Sequence, residues 1–411
     1  MRQRVDGEAW AAALGLGLAG IGWSVHATLL ALAGTLGALT ALTLWIWQRQ
    51  CLTGVTYRRT LRQHRATFGE EVLCDIELVN DKVLPLTWLH VEDDVSRGLT
   101  IRGATVVFDR SGPHQELHHL LPMLPFQRVR RTLTVVCDQR GEHSFGPARI
   151  RSGDPVGLHQ RFATMRDEEH LLVYPKLFRL GALPVASRVP LGDERAAPNL
   201  MGDPSRTAGV REYRAGDPLR HIDWRATARG GSLLVRVFEP TAALRVAVFV
   251  DMRALRLGPP GHGGDVLEFT VAVGASVVAD LAGRGVAAGL YCSGSVRGQT
   301  VVREPSSSPA ALAAMLEALA RASPYGPTSI AELLAGEGPR LRHGASVLVV
   351  AADFAPTTLV ALAELRRRLP VTAVWVATEQ GRPPPSELVD IRREVKYFDG
   401  WKQGDVVELL V

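Results

Sequence analysis

Lysine is almost missing from this chain: four Lys stand against 43 Arg among 411 residues, and only 6% of positions are aromatic. The Arg are answered nearby by Asp and Glu, and a net charge of +5 over this length is modest. That excludes the concentrated basic face of a nucleic-acid binder. Cysteine is scarce too. Cys51, Cys74, Cys137 and Cys292 show no CxxC or related spacing, which excludes a zinc-finger or zinc-ribbon fold. No P-loop, HExxH helix, nucleophile elbow or pair of catalytic carboxylates occurs, so the common hydrolase and nucleotide-binding classes lack their residues.

Charge is also absent from residues 10–47, and there the absence is itself a signal. A single helix over this run would be about 57 Å long, nearly twice a hydrocarbon core of roughly 30 Å. Two apolar helices turning near Gly22, Trp23, Ser24, Val25 and His26 fit better. Arg2 and Arg4 precede the run, while Arg49, Arg58, Arg59, Arg62 and Arg65 follow it. Positive flanks on both sides predict a two-helix hairpin over residues 1–50, multi-pass in the inner membrane, with both ends and all later domains in the cytoplasm. Gly15, Gly17 and Gly20 spell GxGxxG, but no strand precedes them and no acidic residue follows at nucleotide-site spacing. Small residues there suit close helix packing instead.

From 51 to 180 the pattern becomes short alternating runs. Val72, Cys74, Ile76 and Leu78 share one strand face, and Val129, Leu133, Val135 and Cys137 repeat the pattern. Turn residues recur at Asn80-Asp81, at 111–113 and at Arg140-Gly141, so the region reads as an all-β, immunoglobulin-like sandwich. Cys74 and Cys137 point inward, as free thiols in a reducing compartment or as a bridge between sheets, the first being preferred. His114, His118 and His119 are expected on a solvated loop rather than around a metal. Residues 181–208, rich in Gly, Pro and Ala without a period, read as a linker.

The most distinctive stretch follows at 209–229, GVREYRAGDPLRHIDWRATAR. Asp217-Pro218 has the residues of a helix start and Gly230-Gly231 those of a stop, so one short helix is expected to place Arg220, Asp223 and Trp224 on one face. Gly209, Arg211, Tyr213, Gly216, Asp217, Arg220, Ile222, Asp223, Trp224, Ala228 and Arg229 match, at fixed spacing, the signature of the domain of unknown function 58 family of bacterial proteins, which this segment resembles. Gly153-Asp154-Pro155 and Gly157-Leu158 resemble the region before that signature. The segment 209–240 is expected either to lock neighbouring domains through its Arg/Asp pairs or to display Arg and Tyr to a partner, the structural role being preferred.

Residues 241–411 alternate strand and helix: apolar strands at 244–251, 286–292, 347–352 and 371–377, and helices at 265–283, 309–322 and 356–369, the first opening on an Asp265/Glu268 capping box. The rhythm predicts a mostly parallel, doubly wound sheet. In such sheets sites form at the carboxyl ends of strands, where Asp251 and Asp353 fall, with Thr328 between them. The arrangement resembles the von Willebrand factor A fold. Its metal-ion-dependent adhesion site needs Asp-x-Ser-x-Ser, a Thr and a second Asp. Here Arg253 and Leu255 replace the serines, so the site is degenerate and no metal or other cofactor is expected. Either the Arg253 guanidinium pairs with Asp251 or Asp353 in the cation's place, or Arg253 faces solvent and the carboxylates cap helices.

The reading that follows is multidomain α+β and non-enzymatic: a membrane-tethered protein-interaction scaffold or adaptor. The family resemblance implies partnership with a MoxR-type AAA+ ATPase and a transglutaminase-like membrane protein, in assembling or remodelling envelope or metalloprotein complexes. The rival reading is a phosphate-binding or hydrolytic enzyme, with a phosphate on the Asp217-capped helix and His221 beside Asp223 as acid or base. Ser293-Gly294-Ser295 is expected to form a turn after a strand rather than to carry a nucleophile.

Overall fold

The computed structural model describes residues 7–108, 114–155, 160–181, 183–186, 207–214, 221–230, 232–238, 244–253, 263–342, 344–404 and 406–408. Arg2, Arg4, the turn at 111–113, most of the linker, Gly157, Leu158, Gly216, Asp217, Pro218, Arg220 and Leu255 lie outside them. The chain divides into two units, Met1–Tyr174 and Pro175–Val411.

The first unit begins with α1 (Gly7–Ser24) and α2 (Thr28–Gln50), joined where His26 takes a positive φ of 55°. The pair packs through glycines. A Cβ on Gly34 would lie 2.3 Å from the Ala19 backbone nitrogen, and one on Gly22 would lie 2.4 Å from that of Ala31. Such backbone contact has no room for a side chain, so these small residues set the helix separation. Gly15 packs in the same way against Ala38, whereas Gly17 and Gly20 meet nothing. The outward surface is apolar: Leu16, Ile21, Leu29, Leu32, Leu36 and Leu39 are all exposed. By length and composition α2 can cross a membrane.

The rest of this unit is β: β1 (Val55–Leu61), β2 (Arg65–Ala66), β3 (Glu71–Asn80), β4 (Leu86–Ser96), β5 (Thr100–Arg102), β6 (Thr105–Phe108), β7 (His114–Met123), β8 (Arg128–Val136), β9 (Gly141–Gly153), β10 (Gln160–Met165) and β11 (Glu169–Val173). One sheet runs β1-β3-β8-β5; the other runs β2-β11-β9-β4-β7-β6, with β10 added beside β9. Both contribute to one apolar core, in which Val72, Cys74, Ile76 and Leu78 of β3 meet Leu89, Val91 and Val95 of β4. The period-two alternation in the sequence therefore does mark the buried face. Cys74 and Cys137 are buried free thiols, each pushed up to about 12 by burial.

Two expectations for this region change. Arg59 is not a free membrane flank: every second residue of β1 faces inward, and Arg59 is buried against Asp93. Tyr57 donates to the same carboxylate at 2.6 Å, and Arg59 also donates to the carbonyls of Phe145 and Asp167 at 2.7 and 2.9 Å. Arg62 likewise pairs with Asp75 at 2.9 Å. His114, His118 and His119 lie on β7, not on a loop; His119 faces the core and His118 the opposite side.

The second unit opens with β12 (Arg179–Leu180), followed by β13 (Thr207–Glu212), α3 (Trp224–Gly230) and β14 (Leu234–Phe238). Its main body comprises β15 (Arg245–Val250), α4 (Gly263–Gly283), β16 (Ala287–Val296), β17 (Gln299–Ser306), α5 (Pro309–Arg321), α6 (Ile330–Glu337), β18 (Ala345–Ala351), α7 (Pro356–Arg366), β19 (Val371–Ala377) and β20 (Ile391–Lys396); β21 (Val406–Val407) pairs with β12. The sheet order is β17-β16-β15-β18-β19-β20, parallel except where β17 meets β16. Its two faces carry separate cores, one with α4 and α5, the other with α6 and α7. Burial on both sides explains the unbroken apolar runs of β15 and β18. Asp265 sits inside the first turn of α4 rather than capping it. The capping box belongs to α6, where Ser329 and Glu332 exchange bonds.

Candidate functional site

The signature segment folds as a small hairpin with a helix between its strands. β13 pairs antiparallel with β14, setting Arg211 opposite Val235 and Glu212 opposite Leu234. Buried Ile222 bridges to Val235, and the Asp223 amide donates to the Leu234 carbonyl at 2.9 Å. One continuous helix from Asp217 to Arg229 is therefore ruled out, because Ile222 is committed to strand pairing. The helix is α3, and Asp223 is its cap.

The Asp223 carboxylate accepts the amides of Arg225 and Ala226 at 3.0 and 3.1 Å and the Arg236 side chain at 3.0 Å. These donors, the Ala226 amide foremost, hold its pKa below the usual carboxylate range. Thr227 completes the joint by accepting the Leu234 amide at 3.0 Å. Around this lock the surface is open. Trp224 is 67% exposed, Val210 is exposed, and Arg211, Arg225 and Arg229 reach solvent while Tyr213 is half-buried. Arg220 and Asp217, expected in the same mesh, lie outside the described residues.

A second cluster lies at the carboxyl edge of the six-stranded sheet. β15 pairs with β16 on one side and β18 on the other, so the chain reverses its direction of winding there, the place where such sheets bind ligands. Asp251 follows β15 directly, and Asp353 lies two residues beyond β18. Asp251 is buried; its Oδ1 accepts the Ser293 hydroxyl at 2.9 Å and the Arg253 amide at 3.2 Å. Desolvation raises its pKa above the ordinary value, against those two donors. Asp353 is held the other way. Arg382 grips it with Nε at 2.8 Å and Nη2 at 2.7 Å, and these bonds lower its pKa.

Neither carboxylate is therefore bound to the Arg253 side chain. Arg253 is exposed and offers Asp251 its backbone amide, while the guanidinium on Asp353 is that of Arg382. Thr328 bonds to Thr300 at 2.9 Å. Ser293 is not in a turn: it is buried within β16, accepting the Met252 amide at 2.8 Å while donating to Asp251. The sequence assigned Ser293 only to a turn and did not point to Arg382. Ser293 had a weak signal, a small hydroxyl residue closing an apolar strand beside the first one. Arg382 had none, because it reaches Asp353 from another loop.

Gly326 roofs this edge so closely that a Cβ there would lie 2.0 Å from the Ser293 carbonyl oxygen. What the cluster offers is a buried acid with neutral donors next to a carboxylate already neutralised by Arg382. The N-terminus of α3 is likewise occupied by the Asp223 carboxylate, which takes the Arg225 and Ala226 amides that an incoming phosphate would use.

Residues 209–387 match the family model described as "Protein of unknown function DUF58". The matched segment runs from the signature hairpin through β19 of the mostly parallel sheet. The match supports assigning this segment to the DUF58 family. A curated relative, the uncharacterized protein YeaD of Bacillus subtilis strain 168, is 26% identical over 230 residues, 55% of this chain and 52% of the relative. The match thus spans about half the relative's length. Solved structures align only loosely. The C-terminal domain of wzt gives a TM-score of 0.21 at 10% identity, covering 30% of this chain and 75% of that one. The sporulation control protein Spo0M of Bacillus subtilis gives 0.17 at 11%, covering 29% and 49%. Scores this low carry no argument about fold or activity.

Proposed function

We propose that this protein is a membrane-tethered scaffold in which the signature hairpin presents a protein-binding face. The observation that carries this reading is Trp224, 67% exposed on a helix whose own cap is fully engaged. An aromatic held in water by a rigid neighbour, with Arg211, Arg225 and Arg229 also exposed, has the composition of an interface hot spot. Asp223, Arg236 and Ile222 then act structurally by holding the presenting helix, so both roles weighed for the signature are divided among its residues.

In this reading α1 and α2 are the anchor, their exposed leucines facing lipid. The two facing sheets form an immunoglobulin-like spacer, and the six-stranded body is a von Willebrand factor A-like domain with a degenerate adhesion site. The partner we propose is the MoxR-type AAA+ ATPase that the family resemblance implies, with the soluble units on the cytoplasmic side of the inner membrane. The test is a mild-detergent pull-down of tagged full-length protein from its native membranes, read by mass spectrometry. An AAA+ ATPase at near-equal amount, lost on Trp224→Ala with melting unchanged, supports the reading. A partnerless protein, or undiminished recovery with Trp224→Ala, overturns it.

A further inference from the structure

Strand pairing brings together residues that are far apart in sequence on the outer face of the larger sheet in the first unit. Along β4 the inward positions are Leu89, Val91, Asp93 and Val95, which leaves His90, Glu92 and Asp94 on the other face. Register sets Glu92 opposite His118 and Asp94 opposite Glu116 on β7, and His90 opposite Arg151 and Glu92 opposite Arg149 on β9. The result is two histidines and three carboxylates flanked by two guanidiniums, all partly shielded except the more open Arg149.

The hydrogen bonds assign the ring tautomers. An arginine can only donate, so His90 Nδ1, 2.7 Å from Arg151 Nε, is the acceptor. His90 Nε2 therefore carries the hydrogen and donates to His118 Nδ1 at 3.0 Å. His118 in turn bears its hydrogen on Nε2, 3.1 Å from Glu116 Oε2. A carboxylate behind a histidine, with the other ring nitrogen turned inward, is the arrangement that orients metal-bound imidazoles. The facing nitrogens are also close to the right spacing: ligands about 2.0–2.1 Å from a tetrahedral zinc are roughly 3.3 Å apart.

We propose that His90, His118 and Glu92 form a site for a divalent transition-metal ion of the zinc class, with Glu116 orienting His118. One ligand atom from each of the three residues lies within 4.8 Å of the others, and Glu92 Oε1 is 3.4 Å from His90 Nδ1. Three carboxylates against two guanidiniums leave the surroundings net negative, which favours a dication over a structural patch of basic residues. Loading asks for one rearrangement. The cation takes the place of the hydrogen between the rings, His90 carries its proton on Nδ1 instead, and Arg151 turns away from Nδ1 while Nη2 keeps its 3.0 Å contact with Glu92. A bound ion would clip β4 to β7. Tandem alternation alone cannot reveal such a site, because its residues come from strands about 28 positions apart.

The experiment uses full-length protein in detergent, stripped of metal and titrated with Co²⁺ and Zn²⁺. Expected are one equivalent of bound Co²⁺ with a visible d–d band, competed by Zn²⁺, and a raised melting temperature. His90→Gln and His118→Gln should abolish the band, and Glu116→Gln should weaken binding about 10–100-fold. Arg151→Gln should tighten binding, since it removes a competing donor, and His170→Ala, elsewhere on the surface, should change nothing. Should the ligand variants fail to fold, Zn²⁺ protection of His118 from carbethoxylation in the natural protein replaces them. No stoichiometric uptake, binding that survives the loss of either histidine, or no protection overturns the assignment.

Discussion

Asp93 in the first unit, which also buries Asp154, and Asp251 in the second are buried aspartates treated differently. Asp93, fully buried, receives the Arg59 guanidinium and the Tyr57 hydroxyl, so its charge is matched inside the core. Asp251, nearly as buried, receives a serine hydroxyl and one amide among the described residues. Its pKa rises because desolvation outweighs those two donors. A matched buried charge joins strands; an unmatched one is a cost that folding alone does not require. Asp93 is therefore structural, and Asp251, at the point where the winding of the sheet reverses, marks the candidate site.

The largest effect should come from breaking the match. Arg59→Met leaves Asp93 buried without its cation and is expected to cost about 3–5 kcal/mol in denaturant unfolding. Adding Asp93→Leu should recover much of that loss. A single-variant cost near zero would mean that Asp93 reaches water, and the contrast with Asp251 would disappear.

For Asp251 the sign reverses. Its folded pKa is raised, so the ionised form works against folding above that pKa, and the penalty is gone below the unfolded pKa. Asp251→Asn is expected to stabilise by about 1 kcal/mol near pH 8, with the gain shrinking as the pH falls towards 4. Melting curves at the two pH values decide it. A variant less stable than the natural protein at pH 8 would show that the Asp251 charge is compensated.

Asp223 provides a smaller, half-buried counterpart. Its pKa is lowered, so its contribution is present above the unfolded carboxylate pKa and is lost as the pH drops through the folded value. Asp223→Ala should lower the melting temperature at pH 7, and the gap from the natural protein should close in acid. The smallest effect is expected from Arg382→Ala. Its pair with Asp353 is open to solvent, and any loss of stability should fade in high salt, as thermal melts at two ionic strengths would reveal.

Much of the fold was legible because its cause is local. The uncharged run at 10–47 and the alternation in β3 announced their environments directly. The apolar strands β15, β18 and β19 were found within about two residues. Elements lacking that mark were missed: β17 is amphipathic and antiparallel, α6 is short, and β20 carries Arg392, Arg393 and Glu394. The start of the signature helix was misread because Asp217-Pro218 and Asp223 both qualify as starts, and only the pairing of Ile222 with Val235 excludes a continuous helix.

By itself, the sequence determined which segments are apolar, which alternate and which carry the family signature, since periodicity and residue type act over a few neighbours. Tertiary structure decided what each charge meets. Arg59 could have been a membrane flank or a core residue, and the register of β1 made it the partner of Asp93. Arg253 was one candidate partner for the carboxylates, yet Arg382, 29 residues beyond Asp353, took that of Asp353. His90 and His118 met only because β4 pairs with β7. Electrostatic partners are fixed by distance in space, and sheet pairing sets that distance between residues whose separation along the chain carries no trace of it.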